Sequence, residues 1–431
     1  MTDLPDVERG ARRPPLRGST EIQGNVLAAF NKDHQLFRFV RFTDAKQGRT
    51  WLAAMLGHVS TTADVEDFNE VFSLGRTLFG GDPAGLCATW ANVSLTPEGI
   101  VDLSVNPDAT ADDLRPHFPH TAEEAADANG DTGDSAPDHW LFGRACRPVH
   151  AVVTVASDSA ARLECAARNM DVLDTLLGVT AVHEQRADTL PGDRRGHEHF
   201  GYKDGISQPG VRGFHHEDAD RPGHRVGRPG ELLVNAGEFV FGHPTESARP
   251  RAAAWLADGS IQVVRRLTQD VDGWHAAVEA RGLGPRVVGR HRDGRPLAAA
   301  RDRNDFDYSD DPAGTITPCP AHTRKTNPRS FTHRTPRQHR LVRRGIPFGP
   351  TAAGERGLVF VAHCTSLDEQ FEFVQRTWAR NPDFAAGERG APTGVDAVVG
   401  GPFVRTTGAL YALVPSVSTL RLLAAGRELP R

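Results

Sequence analysis

The 431-residue chain carries 50 lysines and arginines against 55 aspartates and glutamates, a formal charge of −5. This near-balance excludes nucleic acid or an anionic membrane as the evident partner, and the length exceeds one small core, so two domains able to enclose a sizeable cofactor are expected. Five scattered cysteines (Cys87, Cys146, Cys165, Cys319 and Cys364) without a C-x-x-C pair exclude a disulfide framework, a zinc ribbon, an iron–sulfur cluster and the C-x-x-C-H attachment motif. No run of eighteen apolar residues occurs. The opening "MTDLPDVERGARRPPLRGST" has charge and proline where a signal peptide needs an apolar stretch, and Arg12-Arg13 lacks the hydrophobic segment of a twin-arginine signal, so a soluble, cytoplasmic protein is expected.

In chain order, residues 1–20 read as a mobile arm. An apolar strand, a polar turn and an amphipathic helix follow at 34–56; the same unit recurs at 150–173, with Ser157 or Asp158 as the expected N-cap. Stretches 103–139 and 213–231, rich in Gly, Pro and charge, read as surface loops, and "GEFVFGH" (237–243) as an unpaired strand. The third unit spans 357–378: a strand over Leu358 to Ala362 leads to Ser366, whose spacing to Glu369 forms a capping box, and Leu367, Phe371, Val374 and Trp378 fall on one α-helical stripe. "GALYALVPS" (408–416) is a closing strand. Such units mixed with solitary strands predict an α+β fold of two antiparallel sheets with flanking helices, divided into domains 21–200 and 201–431.

Three stretches offer chemistry. In "HFGYKDGISQPG" (199–210), Asp204 stands between Gly201 and Gly205, whose missing side chains let a flat ligand approach; the alternative is a turn closed by an Asx hydrogen bond. In "CPAHTRKTNPRS" (319–330), His322 precedes Arg324, Lys325 and Arg329, an imidazole among cations suited to a ligand with a metal and negative groups, or a solvated basic loop. In "HRLVRRGIPFG" (339–349), a strand end delivers Arg343 into a rigid loop, where a permanently charged guanidinium can stabilise charge developing on oxygen. His197 and His199 form an H-x-H that, with Asp204, offers a competing zinc or copper site. His363 and Cys364 read as packed.

Together these stretches, in order and spacing, resemble the dye-decolorizing peroxidases, a haem peroxidase family. "EIQGNVLAAFNKDHQLFRFVRF", "VVGRHRDGRPL", "FEFVQRTWARNPDF" and "TGVDAVVGG" extend the likeness over nearly the whole chain. The resemblance implies two ferredoxin-like domains and one noncovalent haem b, held mainly by 201–431. It implies His322 as the proximal iron ligand, Asp204 as the distal acid–base residue, Arg343 as the distal cation and Asp396 as the carboxylate on the other nitrogen of His322. Arg324 and Arg329 would pair with haem propionates; Leu358 and Phe360, on one face of their strand, would line the distal pocket or else pack as core. Trp378 stands where some members carry a surface tryptophan that relays electrons, or else completes its apolar stripe. The implied reaction is hydrogen-peroxide-dependent, one-electron oxidation of dyes, phenolics or other aromatic donors; a haem carrier is the rival reading.

Overall fold

A computed structural model describes residues 13–83, 85–298, 304–329, 337–384 and 394–431. Its strands are β1 (His34–Phe42), β2 (Thr89–Leu95), β3 (Ala151–Ser157), β4 (Val179–Asp188), β5 (Gly210–Val211), β6 (Leu233–Val234), β7 (Ser260–Gln269), β8 (Val342–Arg343), β9 (Ile346–Phe348), β10 (Gly357–Cys364) and β11 (Val404–Val414). The two expected antiparallel sheets lie edge to edge in one nine-stranded sheet of order β4-β1-β3-β2-β11-β7-β10-β8, with β9 also on β10. A single pairing, Leu95 with Leu413, joins the halves. The four strands β1, β2, β3 and β4 of one half, and β7, β8, β10 and β11 of the other, each take the spatial order 4-1-3-2 when numbered along the chain, the split βαβ arrangement of a ferredoxin-like unit. Strand β4 at one end also packs against β9, so the sheet curls back on itself.

Strand alternation explains why both faces are apolar. Leu36 and Val40 of β1 meet Trp51, Leu52 and Met55 of helix Ala45–Met55. Phe37 and Phe39, pointing the other way, meet Phe348, Val359 and Val361 from the C-terminal half, so the two halves share a core. Asp44 caps helix Ala45–Met55 through Gln47 N, and Thr61 with Asp64 forms a full capping box on helix Thr62–Phe79. Helix Ala160–Leu176 is capped by Ser159, not by Ser157 or Asp158. Ser157 Oγ accepts from Ser159 N, and the Asp158 carboxylate is drawn away to Lys32 Nζ and Ala88 N.

Three expected elements differ. Stretch 103–139, read as a surface loop, carries helix Pro107–Leu114 and sends Leu114, Phe118 and Ala122 into the core. "GEFVFGH" is no strand: Phe239 N and Val240 N turn back to Ala236 O, and fully buried Glu238 binds Arg249 and accepts from Glu246 N. A buried carboxylate must find donors, and here they come from a folded loop rather than a ladder. Downstream of β10, Ser366 accepts from Glu369 N as expected, but Leu367–Phe371 and Val374–Ala379 wind as π-helix. That register brings Gln370, Glu372 and Gln375 inside, each with polar partners that a purely apolar α-helical stripe would not supply. Residues 13–18 of the expected arm are docked: Leu16 N donates to Gly213 O and Arg17 Nε to Phe214 O, while 1–12 lie outside the described residues. Among the described residues no helix is long and apolar enough to cross a membrane.

Candidate active site

The "HFGYKDG" stretch is the end of a small hairpin. Asp204 N donates to Gly196 O, His197 bridges to Lys203, and Glu198 N donates to Tyr202 O. Gly201 and Gly205 take φ of +95° and +71°, which side chains with a β-carbon rarely adopt, and these turns bring Asp204 to the wall of a cavity of about 580 Å³. The Asp204 carboxylate accepts from Gly205 N at 2.6 Å, one residue on and not the two that an Asx turn uses.

Arg343 reaches the same cavity from β8. It is clasped to the Asp204 loop reciprocally, Arg343 N donating to Gln208 Oε1 and Gln208 Nε2 to Arg343 O, while its guanidinium donates to Ser207 O at 3.2 Å. Burial lowers the Arg343 pKa from the usual arginine value, and the charge of Asp204 opposes that fall. Residues 139 positions apart thus form one wall because a short β8 pairs with Ala362 and His363 of β10.

His322 begins the short helix His322–Thr326 and also lines the cavity. Its Nδ1 lies 2.6 Å from Oδ2 of Asp396, which is fully buried and accepts from Val398 N through Oδ1. A carboxylate can only accept, so Nδ1 carries the proton and Nε2 is the nitrogen free to bind a ligand. Burial works to lower the His322 pKa, but Asp396 outweighs it and the net direction is upward. The solvated-loop alternative fails, because Arg324 and Lys325 beside it are buried.

The remaining expected residues separate. Leu358 and Phe360 alternate along β10 and both line the cavity. Arg329 lines it too, donating to Ser207 Oγ at 2.8 Å. Arg324 does not line it: its guanidinium donates to Thr317 O and pairs with Asp311, which corrects its expected role with propionates. Trp378 is 5% exposed, stacked on Phe384 and edge-on to Phe373 and His339, so it is a packed residue and not a surface one. The H-x-H site does not form, since buried His199 bonds Phe348 O while His197 Nδ1 bonds Arg195 O.

Among the cations on the cavity wall that sequence reasoning missed are Arg290 and Arg340. Burial, with Arg343 and Arg329 adding like charge, pushes Arg340 down to about 9; burial and Arg329 push Arg290 to about 10. The hydrogen bonds of Arg329, Arg340 and Arg343 among the described residues go to carbonyl and hydroxyl oxygens, not to carboxylates. Positive charge held at a cavity wall without a hydrogen-bonded carboxylate marks a place for a negatively charged ligand, and Nε2 of His322 adds a metal ligand to the same cavity. The donor set fits an anionic, iron-bearing group such as haem.

Residues 21–189 match the family described as "DyP dimeric alpha+beta barrel domain" and residues 245–389 match "Dyp-type peroxidase, C-terminal". The chain is 30% identical to dye-decolorizing peroxidase msp1 of Mycetinis scorodonius, over 92% of this chain and 80% of that one. It is 31% identical to a multifunctional dye peroxidase of Amycolatopsis, over 88% and 85%. A solved dye-decolorizing peroxidase in complex with 2,6-dimethoxyphenol superposes with a TM-score of 0.78 at 25% identity, covering 95% of this chain and 99% of that one. A deferrochelatase of Yersinia pestis is similar over 41% of this chain and 35% of its own, at 27% identity. With its two ferredoxin-like halves, its cationic cavity and both family matches in place, the chain belongs to the dye-decolorizing peroxidase family and is a haem peroxidase.

Proposed function

We propose that the cavity binds one haem b noncovalently and that Asp204 and Arg343 promote its reaction with hydrogen peroxide. His322 Nε2 would hold the iron, and Arg329 with Arg340 would face the carboxylate substituents. When bound, haem supplies the iron that reduces peroxide and then draws single electrons from a donor. Asp204 takes the proton of the peroxide and returns it to the oxygen that leaves as water. Arg343 stabilises the negative charge that develops on that oxygen, in a site where low dielectric strengthens the effect. Asp396 holds the Nδ1 proton of His322, fixing the ring and making Nε2 the more basic ligand. Leu358 and Phe360 narrow the cavity, which favours peroxide over bulky molecules. Donors would be dyes, phenolics or other aromatics, oxidised in one-electron steps.

The observation that carries this reading is that Asp204, Arg343 and His322 line one cavity. A haem carrier needs His322 but neither of the other two. The test is to titrate the purified protein with haem, add one equivalent of peroxide in a stopped-flow spectrometer, and then add a phenol. One extractable haem per chain, a rapid change in the Soret band and its return with phenol oxidation are expected. Slow bleaching with iron release would support the carrier reading instead.

A further inference from the structure

The hairpin that presents Asp204 is filled by a second carboxyl group that the reaction above does not use. Glu198 Oε2 accepts from Phe200 N at 2.8 Å and from Gln269 Nε2 at 2.6 Å, and Oε1 accepts from Tyr202 N at 2.9 Å. Two of these bonds fix the hairpin's own tip; the third ties it to the end of central strand β7. Glu198, Gln269 and Asp204 all line the cavity. The other end of the Gln269 amide, Oε1, is buried without a hydrogen-bond partner.

That orphan oxygen is informative. A carboxylate can use only the amide's N–H side, but a carboxylic acid can donate to its oxygen after the amide turns over, while still accepting from Phe200 N and Tyr202 N. Either state leaves one end of the amide unpartnered, and the orientation observed is the one that serves the carboxylate. We propose that Glu198 and Gln269 form a proton-linked clamp that positions Asp204 and couples peroxide activation to the protonation of Glu198. Glu198 is a positioning residue here, acting through Asp204; the proposal rests on the role given to Asp204 above.

The electrostatics agree with the geometry. Burial pushes the Glu198 pKa up to about 7 against the pull of its three hydrogen bonds, and the charge of Asp204 adds to the rise. The other charged groups on neighbouring elements are paired elsewhere or lie on the hairpin itself. Arg356, whose carbonyl receives Gln269 N, binds Asp272, and Glu279 with Arg292 surrounds the Tyr202 hydroxyl. His197, His199 and Lys203 share the hairpin, His199 being bonded to Phe348 O. Because the folded value lies above the usual carboxylate one, Glu198 is neutral below about pH 7 and ionises above it. Ionisation adds a negative charge beside Asp204 and opposes the charge building on peroxide oxygen, so the rate should fall as pH rises through that range.

The test uses the haem-loaded protein and two readouts. Infrared titration should show a carboxylic-acid carbonyl band that disappears around pH 7 in the wild type and is absent in Glu198→Gln. The rate of reaction with peroxide should fall several-fold from pH 6 to 8 in the wild type and stay within about twofold in Glu198→Gln. A Gln269→Met variant, which keeps Glu198 but removes a bond favouring its anion, should move the infrared midpoint upward. An unchanged midpoint in Gln269→Met, no band titrating near pH 7, or the same pH profile in Glu198→Gln would each overturn the clamp. A loaded protein inert to peroxide would instead overturn the role of Asp204, because the infrared titration stands on Glu198 alone.

Discussion

The two halves of the sheet share one topology and differ in almost everything else. The N-terminal half carries capped α-helices over an apolar face, with Trp51, Leu52 and Met55 fully buried. The C-terminal half replaces its second helix with π-wound segments, buries Gln370, Glu372 and Gln375, and brings Arg290, Arg329, Arg340 and Arg343 together with further arginines onto a cavity. Identical strand order therefore does not decide where chemistry sits. Departures from regular helix and apolar packing do, because each must be offset by bonds that also aim side chains.

This contrast can be broken by substitution. Trp51→Ala should cost about 3–5 kcal/mol of stability, since it opens a cavity and takes the indole N–H donor from Asp174. Thermal or denaturant unfolding measures that loss, and the peroxide rate per folded molecule should be unchanged. Arg343→Met should do the reverse, leaving the melting temperature near wild type while lowering the peroxide reaction by about 10²–10³. A large loss of activity in the folded Trp51 variant would erase the division of labour. The smallest effect is expected at Trp378→Phe: a buried residue that only packs should slow a bulky dye and a small phenol alike, by less than about twofold. Selective loss of the dye would restore a relay through Trp378.

What the sequence disclosed follows the range of the forces involved. Periodicity marked β1, β3, β10 and β11 and the helices after β1 and β3, because alternation is local; the helix Val417–Ala424 after β11 was not read. Asp204, His322, Arg343 and Asp396 were legible through motif spacing and family resemblance, and they converge as that spacing implies. The failures are tertiary. "GEFVFGH" has the short apolar run of a strand in Phe239, Val240 and Phe241, yet Glu238 is held by Arg249 from beyond the segment. Arg324 has the same local setting as Arg329, and only the turn over 311–317 draws its guanidinium off the cavity. Arg290 and Arg340 carry no motif of their own; strand pairing and loop closure bring them to the wall. Glu198 lies six residues before Asp204, and nothing local shows that the hairpin wraps around it.

The central claim is that Asp204 moves the peroxide proton in the cavity that His322 and Arg343 share. Stopped-flow mixing of haem-loaded wild type and Asp204→Asn with peroxide tests it most directly, with the Soret band of the resting protein confirming equal loading. The account predicts equal haem binding and a fall of about 10²–10⁴ in the bimolecular rate, the contribution of a positioned acid–base group. Equal rates in the two proteins would contradict it.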